Sequence, residues 1–155
     1  MNIIFRCNHC ETLNEISTEF RYRLCKKCSA IVTYVLGESI ICNDDNDCYG
    51  FINENNLSME KAEDFFKLAD TYYEQISIII RKHEEKSFTL LDIPATSQAN
   101  TVLLLLEKNK SETLDELIEN CRLFDIDLEK LEQFIRRMKN EGMIYHPKGW
   151  LIRLI

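Results

Sequence analysis

From Ser58 to about Lys86, "SMEKAEDFFKLADTYYEQISIIIRKHEEK", positions Ala62, Phe65, Ala69, Tyr72, Ile76, Ile79 and His83 recur at threes and fours. Phe66, Tyr73 and Ile80 lie beside them. That is the period of a helix lying along another helix. The stretch has neither Gly nor Pro, Ser58 suits an N-cap and Glu60 suits the first turn, so the spacing predicts one long helix. With the connector "SFTLLDIP", ended by Pro94, it makes a middle segment over 56–90. Residues 1–50 hold only short apolar runs, "AIVTYVLG" and "SIIC", and predict a small β module. Residues 95–155 read as three helices and then two short strands. The expected class is α+β, mainly α.

The C-terminal pattern can be read closely. "ATSQANTVLLLLEKNK" is a first helix with Val102, Leu103, Leu105 and Leu106 inward. A second, "TLDELIENC", begins after Ser111 to Thr113, with Asp115 and Glu116 where carboxylates favour the positive helix end. "DLEKLEQFIRRMKNEG" is a third, with Asp127 as N-cap and Gly142 as the left-handed residue that ends it. "MIYHPKGWLIRLI" then predicts two strands around a turn at Pro147-Lys148-Gly149. Three helices followed by a hairpin predict a winged helix-turn-helix.

A helix as long as the middle one cannot bury both "FF" and "YY" against a small ribbon. It is therefore expected either to dock on the C-terminal segment or to pair with a second copy as a homodimer, with packing inside one chain as the alternative.

Cysteines change the picture of the first segment. "CNHC" at Cys7 and Cys10 and "CKKC" at Cys25 and Cys28 form C-x2-C-x14-C-x2-C. Each pair can point two sulfurs at one ion, and two pairs make a tetrahedral S₄ set, so one structural Zn²⁺ is expected. Four thiolates leave no open position for a catalytic water. A thioredoxin-like redox pair lacks its βαβ surroundings. His9, inside the first knuckle, is expected to be exposed, and Lys26 and Lys27 to balance the thiolates or face a partner. Cys42 and Cys48 flank an acidic loop and could close a disulfide, contribute to a second partial site, or remain free.

Net charge is −7 before any thiolate is counted. Lys and Arg number five against seven Asp and Glu in 1–50, five against nine in 51–94, and nine against ten in 95–155. No segment is basic, which argues against a generic nucleic-acid coat. Candidate contacts to DNA or to a partner are Lys130, Gln133, Arg136, Arg137 and Lys139 on the third helix and Lys148, Trp150 and Arg153 on the wing. Glu129, Glu132 and Glu141 oppose them, so DNA binding is expected to be weak, and the domain to serve equally as a protein-docking surface. Trp150 is expected to belong to the core of the wing. The N-terminus lacks a signal-peptide pattern and no stretch reaches the roughly 18 apolar residues of a membrane span. A cytoplasmic or nucleoid-associated protein without a membrane is the expectation.

Two resemblances follow from these residues. The paired knuckles over about residues 5–42 resemble the zinc ribbons of transcription and replication proteins. "TLDELIENCRLFDIDLEKLEQFIRRMKNEGMIYHPKGWLIRLI" resembles the C-terminal winged helix of the minichromosome maintenance replicative helicases, over about the last 60 residues. The chain shows no G-x-x-x-x-G-K-[ST] loop and no motor domain. The resemblance therefore implies a non-enzymatic accessory factor that bridges replication or transcription machinery to DNA or to another protein. The competing expectation is a sequence-specific DNA-binding regulator, dimeric through the long helix.

Overall fold

The computed structural model describes residues 1–44, 50–52, 62–88, 91, 93–94, 96–109 and 111–155. The chain is α+β and divides into two compact units, Met1–Lys86 and Ser87–Ile155.

The first unit begins with strand β1 (Asn2–Arg6), whose Ile3, Ile4 and Phe5 are all buried. A short continuous apolar run of this kind needs cover on both faces and neighbours on both edges. β1 accordingly lies between β2 (Leu13–Ser17) and β5 (Ser39–Cys42), antiparallel to each, with Ile3 opposite Ile16 and Ile41. β3 (Tyr22–Leu24) and β4 (Ile31–Thr33) form a separate hairpin.

Helices α1 (Ala62–Thr71) and α2 (Tyr73–Glu84) both pack on β5. Phe65 and Ala69 join Ile4, Leu13, Ile40 and Ile52 in one core, and Ile76 is fully buried. The expected single helix is thus two. Tyr72 interrupts it with φ −100° and ψ 3°, its N–H donating to the Ala69 carbonyl at 3.0 Å. Nothing in the residue types marks the break, since neither Gly nor Pro stands at or beside Tyr72. One residue of each aromatic pair turns inward, since Phe65 is buried and Tyr72 half-buried, while Phe66 and Tyr73 are exposed. Phe65, Ala69, Tyr72 and Ile76 of the apolar stripe are therefore covered within their own unit. His83 closes the far end, half-buried, with Nε2 2.9 Å from the Thr18 carbonyl. The start of the expected helix, Ser58 with Glu60, lies outside the described residues.

The second unit runs α3 (Gln98–Asn109), β6 (Ser111–Thr113), α4 (Leu114–Arg122), α5 (Leu128–Asn140), β7 (Ile144–Lys148) and β8 (Leu151–Leu154), with a sheet in the order β6-β8-β7. Leu105, Leu106, Leu114, Leu117, Ile118, Leu131, Ile135 and Ile152 fill its core. Thr113 and Glu116 form a reciprocal capping box at the start of α4. Asp127 caps α5, accepting from the Lys130 N–H at 2.9 Å. Gly142 ends it with φ +71°, while the Gly142 and Met143 N–H groups reach the Lys139 and Met138 carbonyls, a Schellman closure. Buried Asn120 accepts from the Leu91 N–H at 3.0 Å and donates to the Glu116 carbonyl, holding the incoming connector on α4.

Two details differ from the sequence expectation. β6, three polar residues, pairs with β8 through Thr113 opposite Leu151 and was not expected. The hairpin turn lies at Gly149-Trp150, not Pro147-Lys148-Gly149: Lys148 already pairs with Leu151, and Pro147 sits in a register irregularity of β7. β7 is an edge strand, where a residue without an N–H is tolerated.

Candidate metal centre and basic helix face

The two cysteine pairs sit in matching turns. In the first, between β1 and β2, the Glu11 N–H donates to the Cys7 carbonyl at 2.9 Å and the Cys7 N–H to the Thr12 carbonyl at 2.9 Å. In the second, between β3 and β4, the Ser29 N–H donates to the Cys25 carbonyl at 2.9 Å and the Cys25 N–H to the Ala30 carbonyl at 2.8 Å. Each turn is completed by a non-glycine residue at positive φ, Glu11 at 61° and Ser29 at 58°. Such a conformation carries a strain of order 1 kcal/mol, which the two hydrogen bonds around it offset.

These turns aim four sulfurs inward. Cys7 Sγ lies 3.7 Å from Cys28 Sγ, Cys10 Sγ lies 3.6 Å from Cys25 Sγ, and all four fall within 4.8 Å of one another. A disulfide needs about 2.05 Å, so neither close pair is one. Metal–thiolate bonds of about 2.3 Å in a tetrahedron set sulfur–sulfur edges of about 3.8 Å. Cys7, Cys10, Cys25 and Cys28 are therefore spaced to hold one metal ion.

Ionisation of the cluster is uneven. Burial pushes the Cys7 thiol up to about 12, and burial also raises Cys28. Burial raises Cys10 too, but hydrogen bonds with Thr12, Cys25 and Cys28 together outweigh it and hold the thiol down at about 6. At Cys25 burial again opposes ionisation, while the backbone N–H groups of Cys28 and Lys27 and the Asn14 side chain lower its pKa. Sulfurs this close resist carrying charge together, and a divalent cation is what allows all four to ionise.

Asn14 was missed by sequence reasoning. Fully buried on β2, it donates from Nδ2 to Cys25 Sγ at 3.4 Å and accepts at Oδ1 from the Lys26 N–H at 3.1 Å. It belongs to one hairpin and ties down the ligand turn of the other, the place of an outer-shell residue that orients metal ligands. Its signal was an amide in an otherwise apolar, inward-facing strand position, four residues after a knuckle. His9 is exposed, with its N–H 3.4 Å from Cys7 Sγ, and its ring stands outside the cluster. Cys42 on β5 is disulfide-bonded. Cys48, the other half of that expectation, lies outside the described residues.

On the second unit, Lys130, Gln133, Arg136, Arg137 and Lys139 are all exposed on α5. The arginines are engaged by their own helix: Arg136 Nη2 lies 2.9 Å from Glu132 Oε1, and Arg137 Nε lies 2.8 Å from Glu141 Oε1. Lys148 and Trp150 meet at the hairpin, the ammonium 5.5 Å from the ring centroid, and the half-buried Trp150 accepts from the Leu114 N–H through its carbonyl. Arg153 is exposed on β8, opposite Tyr145 on one side and Ser111 on the other. Beside this face His146 is half-buried with neither ring nitrogen hydrogen-bonded, and burial, then the Lys139 charge, lower its pKa.

Among the described residues no helix is long and apolar enough to cross a membrane. No protein-family model, curated protein or solved structure matches the chain.

Proposed function

We propose that this protein is a non-enzymatic accessory factor of DNA replication or transcription, and that it docks on a larger protein assembly through an N-terminal zinc ribbon and a C-terminal winged helix. The four thiolates suit Zn²⁺, which accepts a tetrahedral S₄ set without electronic preference. An ion with four protein ligands has no position left for substrate, so it shapes the ribbon and performs no chemistry. In the second unit, the order α3-β6-α4-α5-β7-β8 with a three-stranded antiparallel sheet supports the winged-helix reading, with α5 in the place of the recognition helix and β7–β8 as the wing.

The observation that carries docking over DNA reading is the ion pairing along α5. Arg136 and Arg137 have carboxylate partners four residues away, so a phosphate would have to compete with Glu132 and Glu141. At the N-terminus of the same helix, where a phosphate would otherwise meet the helix dipole, stand the Asp127 carboxylate and Glu129. Phosphate contacts supply most of the affinity for DNA, and here they are opposed at both ends of the helix.

Titration of labelled duplex and single-stranded DNA at two salt concentrations, with the unmodified protein and an Arg136→Ala, Arg137→Ala, Lys139→Ala triple variant, tests the reading. Binding should be weak and nearly the same for both. Tight binding that falls steeply with salt and is abolished in the variant would establish a DNA-binding regulator instead, the salt slope dropping by about one for each phosphate contact removed.

A further inference from the structure

We infer that the cleft between α4 and α5 is the docking site for a basic, amphipathic helical segment of a partner protein, anchored by an apolar side chain. The inference rests on the docking reading and deepens it. A cleft of about 420 Å³ opens where α4 ends and α5 begins. Buried Ile118, Ile126 and Leu131 line it, and Leu128, 39% exposed, stands among its walls. Leu123, in the turn between the two helices, is 56% exposed. The exposed part of Leu128 continues the apolar lining of the hollow to the surface, where a partner's apolar side chain could cover it.

The polar groups around the cleft indicate what that partner is. The Asp127 carboxylate already caps α5, and Arg122 is ion-paired with Glu119. The walls therefore offer a small polar ligand few uncommitted partners, and the apolar surface offers an aliphatic or aromatic side chain a dry seat. Charge then selects the flanks of that side chain. Asp127 and Glu129 line the opening against Arg122, whose charge is already met by Glu119, so the local balance is negative and favours Lys or Arg on the incoming segment. An amphipathic helix carrying apolar residues at three-four spacing with basic residues beside them meets both demands, the mode in which a helix is seated in a groove. Nucleic acid is disfavoured at the same spot by the same carboxylates.

The test is selection followed by titration. A displayed library of random peptides about four helical turns long is panned against the full chain. Enriched peptides are then measured by fluorescence anisotropy against the unmodified protein, Leu128→Glu and Glu129→Lys. Both substituted residues are exposed, and an unchanged circular dichroism spectrum and melting temperature show that each variant is folded. The enriched peptides should combine apolar residues at helical spacing with an excess of Lys and Arg. Leu128→Glu should weaken them about tenfold or more, and Glu129→Lys about threefold at low salt with a smaller difference at high salt. Failure to enrich, enrichment of acidic peptides, or binding indifferent to both substitutions would overturn the cleft assignment. Duplex DNA titrated against the same proteins separates the two levels. Tight DNA binding alongside peptide binding would remove the docking reading and leave the cleft, whereas weak DNA binding with no cleft-dependent peptide removes the cleft alone.

Discussion

The two units solve the problem of a small core in different ways. In the first, the β1–β2 and β3–β4 hairpins belong to separate sheets, and the thiol cluster spans them: Cys7 faces Cys28 and Cys10 faces Cys25. Arg23 adds its Nη1 donation to the Glu15 carbonyl and its Nε donation to the Leu24 carbonyl, and Asn14 adds its bond to Cys25. In the second unit three helices and a sheet enclose leucines and isoleucines from every element, and its helix ends are closed by side chains and backbone. Two hairpins joined at one centre should lose that junction all at once when the centre goes. A unit held by many contacts should lose stability in small steps.

Removing the ion should have the largest effect and is the harshest test of that contrast. Structural zinc in small modules contributes an apparent 10–16 kcal/mol or so, far above the few kcal/mol a small core supplies. A strong chelator, or Cys25→Ser, should therefore unfold the two knuckle hairpins while amide resonances of Leu117 and Ile118 stay dispersed in an NMR spectrum. Simultaneous loss of both sets of resonances would break the comparison, and purified protein without zinc by elemental analysis would remove its basis.

Asn14→Ala sharpens the same point at a smaller scale. It deletes the donor to Cys25 Sγ and the acceptor for Lys26 without touching a ligand. Loss of such an outer-shell partner should lower metal affinity about 10–100-fold, measured by competition with a chromophoric chelator, with the melting of the second unit unmoved. Unchanged affinity would make Asn14 a packing residue only.

Asp127→Ala should have the smallest effect and fall wholly on the other side. Losing an N-cap costs about 1 kcal/mol, a drop in melting temperature of roughly 4–8 °C for a unit of this size, with metal content unaltered. A larger drop, or any release of metal, would mean that the two halves do not unfold independently.

What could be read from the sequence divides along local and non-local lines. The metal cluster was legible because two residues between cysteines suffice to make each knuckle, and the caps at Asp127 and Gly142 were legible because a side chain and a left-handed residue act within one turn. The break at Tyr72 was not, since no Gly or Pro marks it. β6 carries no alternation of its own and exists because β8 has an edge to fill. The hairpin turn moved from Pro147 to Gly149-Trp150 because register with β8 outweighed the usual turn preference of proline. Asn14 looked like any strand residue until the second knuckle was placed beside it. On α5 the basic residues could be named as candidate contacts, but their ion pairs with Glu132 and Glu141 depend on rotamers that spacing only permits.

The position of β1 between β2 and β5 also sets an order in time. β2 follows its partner at once, but β5 arrives only after both knuckles have been synthesised. At roughly 5–20 residues per second, the interval from Cys10 to Cys42 lasts about two to six seconds. Throughout it one edge of an isoleucine-rich strand stands open, an invitation to pairing with other nascent chains. All four sulfurs are available by Cys28, before that edge is covered. With zinc as the ion, we expect metal shortage to be felt first at the ribosome, as newly made chains lost to aggregation, before molecules that have already folded release theirs. Pulse-labelling in chelator-treated cells, comparing the soluble fraction of new and old protein, would show it.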